Sequence, residues 1–383
     1  MVFTEKRQGD GVILGSAVAP VLPILDLRLF RDPSTKAAFV ESLRSALAGF
    51  GFFYLVGHNV GVPERRAAMQ AAQQFFGLPV SAKREVDSAL SPYVRGYSKL
   101  GSERTVGVVD VREVWEMGPD ADPCAAAGEP AFMRLQGPNL WPAEPARFRP
   151  AITGLVASIS DACDELMQGA ALALDQPANA FDGYFADKNT ATKFKCCNYP
   201  TTAQVAAVGP GNVEPASLGV GPHKDYGFLS VIDSDVAGLQ VLSRRGEWFS
   251  VPVIDGAFIV NGGELLELAS GGAFLAATHR VQATGADVGR PRLSLCFFHN
   301  PGFKAVVRPI TKLPPRLATA AAANREVRSA AAAAGEGTDL YGEEPRPYGE
   351  SALKGYLRSL PHIFKLHHPD LILAETATAQ AKL

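Results

Sequence analysis

In the stretch GPHKDYGFLSVI, Gly221–Ile232, a histidine and an aspartate stand two residues apart, directly ahead of an apolar, β-branched run. Successive side chains of a strand point to opposite faces. His223 and Asp225 therefore share a face, and Lys224 is expected on the other, toward solvent. A neutral imidazole and a carboxylate aimed at one point suit a metal ion, or each other. A metal needs a further ligand, and the chain offers seven histidines in all. His279, in AFLAATHRVQAT, lies on another β-like run far downstream. H-x-D followed by a distant histidine is the sequence form of a two-histidine, one-carboxylate triad. Three protein ligands on one face of an octahedral ion leave three positions open, which is what oxygen-activating Fe(II) needs. H-x-D alone is a weak signal, because such tripeptides arise by chance.

The segment RPRLSLCFFHNP strengthens it. Arg292 and Ser294 again stand two apart on a predicted strand and share a face. A guanidinium holds a carboxylate through two parallel hydrogen bonds, and a hydroxyl adds a third. An arginine facing inward from an apolar strand needs an anionic partner, since burying it alone is very costly.

The elements that must position these groups change character along the chain. PILDL and FFYLVGH are short strand candidates. STKAAFVESLRSALAGFG, PERRAAMQAAQQFFGLP and PARFRPAITGLVASISDACDELMQGAALALD carry apolar residues at helical spacing. From about residue 192, short strand-like runs follow one another between turn residues: TKFKCCNYP, FLSVID, GLQVLS, EWFSVPV, AFIVN, LLELAS, AFLAATHRV and RLSLCFFHN. Such spacing predicts a sandwich or jelly roll. Residues 318–335 are alanine-rich and could form a helix or a mobile insertion; with little in them large enough to build a core, a mobile or peripheral segment is the expectation. YGESALKGYLRSLPHIF reads as a final helix.

Bulk properties narrow the classes. The chain has 383 residues, 47% of them hydrophobic, with a net charge of −2. No basic stripe or long apolar run calls for nucleic acid or a membrane as partner. Five cysteines without finger or framework spacing fit a reducing cytoplasm. The N-terminus makes a poor signal peptide.

Taken together and in order, PILDL, SALAGFGFFYLVGHNV, FFGLP, RGY, KCCNYP, PHKDYGFLSVI, GLQVL, GEWFSVP, IVNGGELLELASGGAFLAATHRV and RLSLCFFHNP make the chain resemble the isopenicillin N synthase-like branch of Fe(II)/2-oxoglutarate-dependent oxygenases. The likeness spans roughly residues 20–310. It implies a mainly β, α+β fold: a double-stranded β-helix, or jelly roll, with a helical N-terminal region and a C-terminal helix. Residues 1–150 would be a mixed N-terminal region, 151–310 the core with its leading helix, and 311–383 the alanine-rich insertion and tail, packed as one unit. By the same resemblance His223, Asp225 and His279 fall on the iron ligands, Arg292 and Ser294 on the clamp for the distal carboxylate of 2-oxoglutarate, and Tyr199 on a tyrosine that hydrogen-bonds the co-substrate. Two positions depart: Cys197 stands where the family often has asparagine, and Gly263-Glu264 where it has Gly-Asp. The implied reaction consumes O2 and 2-oxoglutarate, with ascorbate as an optional reductant, and releases succinate and CO2 while a small molecule is hydroxylated or desaturated. Such enzymes tailor natural products in high-GC microbes, which the alanine-rich composition fits.

Arg95, Tyr97, Glu103, Trp115 and Phe298 are candidates for the substrate pocket, each with an equally good reading as a packing residue. His58 and His299 read as structural. His362, His367 and His368 are expected to be solvated, and Cys196-Cys197 to be ordinary strand residues. A monomer is expected. Two other functions stay open: an oxidase of the same fold that uses no 2-oxoglutarate, in which Arg292 and Ser294 would grip a substrate carboxylate, and a zinc hydrolase or idle metal-binding module.

Overall fold

The structure is a computed structural model that describes residues 22–105, 107–124, 128–187, 190–207, 219–282, 289–333 and 345–373. Its strands in chain order are β1 (Ile24–Asp26), β2 (Phe52–Val56), β3 (Gly96–Ser98), β4 (Arg104–Thr105), β5 (Val108–Val109), β6 (Glu113–Met117), β7 (Lys193–Tyr199), β8 (Val220–His223), β9 (Leu229–Ser234), β10 (Leu239–Leu242), β11 (Trp248–Ser250), β12 (Phe258–Gly262), β13 (His279–Val281) and β14 (Arg292–His299). An eight-stranded sheet runs β1-β2-β12-β9-β14-β7-β6-β3, and a four-stranded sheet runs β11-β10-β13-β8. This is the expected jelly roll. Strands from the first 120 residues and from the β-rich half share one sheet, so the two parts of the chain are built together.

Period-2 alternation splits the large sheet into two environments. On β2, Phe52 and Tyr54 join Val220, Leu239, Val241 and Val281 of the small sheet in an inner apolar cluster. Phe53 and Leu55 of the same strand pack outward, in one cluster with Phe39 and Leu43 of α1 (Lys36–Gly49), Phe75 of α2 (Val62–Phe76), and Phe148, Ile152 and Leu155 of α3 (Phe148–Ala173). The buried residues of α3 recur at helical spacing, as the sequence predicts. At the turn from α1 into β2, Gly51 has φ +68°, and a Cβ there would collide with the carbonyl oxygen of Leu275. Only glycine fits this position.

Several sequence expectations are corrected. LLELAS is not a strand but the helix α4 (Glu264–Ala269). Its first amides are claimed by the turn between β8 and β9: Glu264 N–H donates to Asp225 O and Leu265 N–H to Gly227 O. In AFLAATHRV only His279–Val281 pairs as a strand. The alanine-rich segment, as far as it is described, is not loose. It belongs to the helix α5 (Pro315–Ala333), whose Leu317, Ala321 and Asn324 are buried. Asn324 Nδ2 donates to the carbonyls of Gly272 and Ala273, at 3.1 Å each. Small side chains let this helix approach closely, which is how alanine builds an interface without bulk. Residues 334–335 of that stretch lie outside the described residues.

Lys224 is buried rather than solvated, with Nζ 3.4 Å from Glu267 Oε2 of α4. His367 and His368 are also not free in solvent. Their Nε2 atoms meet the carbonyls of Ala89 and Pro92 at 2.8 Å. They stand at the C-terminal end of α7 (Pro361–His367), which follows α6 (Tyr348–Ser359).

Candidate active site

β8 and β13 are antiparallel neighbours, and His279 lies directly opposite His223. The register slips between His279 and Val281, a bulge of the kind that re-aims a side chain at a site. Asp225 follows β8 immediately. One ligand atom from each of His223, Asp225 and His279 can be chosen so that all lie within 4.8 Å of one another. Each histidine Nε2 is 3.7 Å from an Asp225 oxygen.

The backbone fixes which nitrogen is available. His223 Nδ1 sits 2.9 Å from Gly221 O, and His279 Nδ1 3.1 Å from Ala277 O. Nδ1 therefore carries the proton in each ring and donates it, leaving both Nε2 lone pairs turned toward Asp225. Burial, with His279 close by, holds the His223 imidazole down to about 3, in its neutral form. Asp225 Oδ2 accepts from Ser230 Oγ at 2.6 Å and from Asn261 Nδ2 at 2.9 Å. Burial opposes ionisation of this carboxylate, but the two imidazoles and these donors outweigh it and bring it to about 2. Two imidazole Nε2 atoms and one carboxylate, oriented by these bonds toward one point, are a donor set that fits a ferrous ion.

Beyond the triad, β14 and β7 bring the other predicted groups together. Arg292 is opposite Tyr199 in the ladder, and Ser294 is opposite both Cys197 and, on β9, Ser234. Arg292 is 2% exposed. Its Nε donates to Val236 O at 3.1 Å, Nη2 to Ser234 Oγ at 3.0 Å, and Nη1 reaches Ser294 Oγ at 3.4 Å. Its guanidinium carbon lies 4.8 Å from the Tyr199 ring centroid. Among the described residues no carboxylate pairs with it, so this buried cation keeps its capacity for an anion. Ser234 is a further hydroxyl group here that the sequence reading missed. Cys197, in the family's asparagine position, has Arg112 Nη1 3.8 Å from its sulfur.

A cavity of about 760 Å³ opens onto His223 and Asp225. Arg95, Glu103 and Phe298 line it. Tyr97 and Trp115 do not. On β6, Glu116 pairs with Lys195 and faces inward, so Trp115 beside it points out into the helical core. Trp115 packs edge-on against Phe148 and donates Nε1–H to Leu140 O at 3.1 Å. Tyr97, paired with Trp115 across the ladder, follows it outward and donates to Glu113 Oε1 at 2.6 Å.

The cavity's inner wall is charged, which the sequence reading missed. Glu103 is held by Lys195 Nζ at 2.7 Å and Arg112 Nη2 at 2.8 Å, and Lys195 also reaches Glu116 Oε2 at 2.9 Å. Tyr348 and Tyr356 of α6 also line the cavity, and the Tyr356 hydroxyl donates to Glu116 of that charged wall. The visible signal was in TKFKCCNYP: lysines alternate with apolar residues on a strand whose polar face turns inward.

The fold and this site define a jelly-roll protein with a non-haem metal centre. Residues 194–301 match the 2OG-Fe(II) oxygenase superfamily, and residues 22–144 match the non-haem dioxygenase in morphine synthesis N-terminal family. A 2-oxoglutarate-dependent dioxygenase, frbJ, of Dothideomycetidae sp. is 35% identical over 288 residues, covering 74% of this chain and 75% of its own. A homoarginine-6-hydroxylase of Oryza sativa subsp. japonica is 30% identical over 276 residues, covering 71% of this chain and 80% of its own. The crystal structure of a 2OG-Fe(II) oxygenase family protein from Caulobacter crescentus shares the fold: it superposes with TM-score 0.66 at 22% identity, covering 88% of this chain and 98% of that one. The chain belongs to the Fe(II)/2-oxoglutarate-dependent oxygenases. It is a dioxygenase that oxidises a small molecule with release of succinate and CO2, which sets aside the hydrolase and the idle metal module.

Proposed function

We propose that His223, Asp225 and His279 hold the iron, that Arg292 and Ser294 with Tyr199 and Ser234 hold 2-oxoglutarate, and that the enzyme hydroxylates a small molecule bound in the 760 Å³ cavity. The observation that carries this reading is the convergence of the three ligand atoms within 4.8 Å, with both Nε2 atoms turned to the same point. Bound Fe(II), with 2-oxoglutarate, supplies the activation of O2 and the oxidation of the substrate C–H bond. The chain's own contribution is placement. Gly221 O and Ala277 O fix the imidazole tautomers. Ser230 and Asn261 pin one oxygen of Asp225. Arg292 and Ser294 hold the distal carboxylate of the co-substrate at the far end of the β7–β14 ladder, and the aromatic walls of α6 exclude water.

Hydroxylation is favoured over desaturation because a relative at 30% identity is named for hydroxylating homoarginine. All five cysteines are free thiols, which supports a reducing compartment such as the cytoplasm. No helix among the described residues is long and apolar enough to cross a membrane.

The test is O2 uptake by the Fe(II)-loaded enzyme with and without 2-oxoglutarate, read together with succinate. Uptake that requires 2-oxoglutarate and matches succinate in amount supports the reading. Uptake without 2-oxoglutarate and without succinate would favour an oxidase in which Arg292 grips a substrate carboxylate.

A further inference from the structure

The ionisable groups lining the cavity are unevenly matched. Arg112 and Lys195 are neutralised by Glu103, Asp110 and Glu116, and Lys224 by Glu267. Asp225 belongs to the metal centre. Four cations remain. Arg95 is 4% exposed, donates only to the backbone carbonyls of Tyr93, Val94 and Leu135, and its Nε has no partner. Arg104 and Arg358 line the cavity from exposed positions, with no carboxylate paired to either among the described residues. Lys193, on the inner face of β7, makes no hydrogen bond or ion pair among the described residues. Its Nζ is instead bracketed by two rings, 4.8 Å from the Phe298 centroid and 5.2 Å from the Tyr356 centroid.

An ammonium between two aromatic faces is held in place but not neutralised. Burial pulls this lysine below its ordinary range, a cost that an anionic partner would offset. That partner is not the co-substrate. Lys193 and Tyr199 lie on the same face of one strand, six residues apart, and Tyr199 is opposite Arg292. At ~3.3 Å per residue the two ends are about 20 Å apart, farther than 2-oxoglutarate can span. Lys193 instead shares its cavity with His223 and Asp225.

We propose that the substrate carries a carboxylate, and that Lys193 is the specificity-determining residue that receives it, with Phe298 and Tyr356 flanking the same group. This rests on the reading of the cavity as the substrate site. One unpaired ammonium balances one negative charge, and the excess of arginines around it draws anions in. The two anion-binding ends of the β7–β14 ladder would then divide the work: Arg292 for the co-substrate, Lys193 for the substrate.

The experiment uses the enzyme loaded with Fe(II) and 2-oxoglutarate, without oxygen, and measures binding by calorimetry. The probes are L-homoarginine, L-arginine, phenylacetate and octanoate, each beside its carboxamide. At least one carboxylate is expected to bind, with its amide weaker by about tenfold or more. Lys193→Met is expected to bring that carboxylate down to the level of its amide, and Lys193→Arg to restore most of the difference. The proposal is overturned if no carboxylate binds, if amides bind as well as acids, or if K193M binds the acids like the unmutated enzyme. The acid–amide comparison needs no variant, so it stands even if K193M fails to fold. Separately, Fe(II)-dependent succinate formation by the unmutated enzyme checks the oxygenase reading. Succinate without acid–amide discrimination sinks only the carboxylate proposal.

Discussion

His223 and His279 face each other across one antiparallel ladder step, their ring centroids 4.3 Å apart. Neither ring can move without its strand, because each Nδ1 is tied to a backbone carbonyl two residues upstream. Such a pair is rigid before any metal arrives, and Asp225 closes the third side. His279→Ala or Asp225→Ala is therefore expected to reduce succinate formation to background and to lower the iron retained after desalting. Full turnover by either variant with clean iron would remove the triad.

Asn261 is completely buried and contributes one of the two donors to Asp225 Oδ2. Ser230 contributes the other. Groups in this position orient a metal ligand, and losing them costs roughly 10–100-fold in affinity or activity. Asn261→Ala and Ser230→Ala are each expected to weaken Fe(II) binding within that range, while 2-oxoglutarate still binds. Titration of the apoenzyme with Fe(II) under anaerobic conditions measures the effect.

Arg292 has no carboxylate of its own. Removing a charge-assisted contact of about 1.5–3 kcal/mol corresponds to roughly a 10–150-fold loss of affinity. Arg292→Ala should raise the KM for 2-oxoglutarate by that factor and leave the KM for the small-molecule substrate nearly constant. The reverse pattern would mean that the arginine serves the substrate.

Glu103 shows how the charged wall depends on pH. Burial disfavours its ionised form, but Lys195 and Arg112 more than compensate and bring its carboxyl from 4.5 to about 2. A carboxylate lowered in the folded state adds stability that is fully present above the unfolded value and disappears as pH falls toward the folded one. Urea midpoints measured between about pH 5 and pH 2 should therefore drop for the unmutated protein. Glu103→Gln should show a shallower drop over the same window, together with a lower midpoint at neutral pH, because Lys195 and Arg112 each keep one carboxylate, Glu116 and Asp110, but lose the other. An equally steep acid limb in the variant would show that the stability comes from elsewhere.

What could be read in the sequence was whatever depends on alternation within one strand. Arg292 and Ser294 share a face because they stand two apart on β14, however the rest of the chain folds; His223 and Asp225 are also two apart, but β8 ends at His223 and Asp225 is brought to the site by the turn that follows. What could not be read depends on partners far away in sequence. Whether Trp115 points at the cavity or at the helices is decided by its pairing with Cys196, and nothing in EVWEM states which face is inner. Lys224 looked exposed because its partner, Glu267, sits on a segment whose six residues fit a short strand as well as a helix. The alanine-rich helix looked loose because an anchor such as Asn324 is a lone polar residue among small ones. Lysines 193 and 195 drew no reading at all, since a strand that turns its polar face inward is the rarer pattern.

The wall contributed by Tyr348 and Tyr356 comes from the last described stretch of the chain. During synthesis, His223, Asp225, His279 and Arg292 all leave the ribosome before that wall exists. A nascent chain can thus bring these four side chains together while the chamber beside them still stands open on one side, and the chamber is completed only once translation has passed α6.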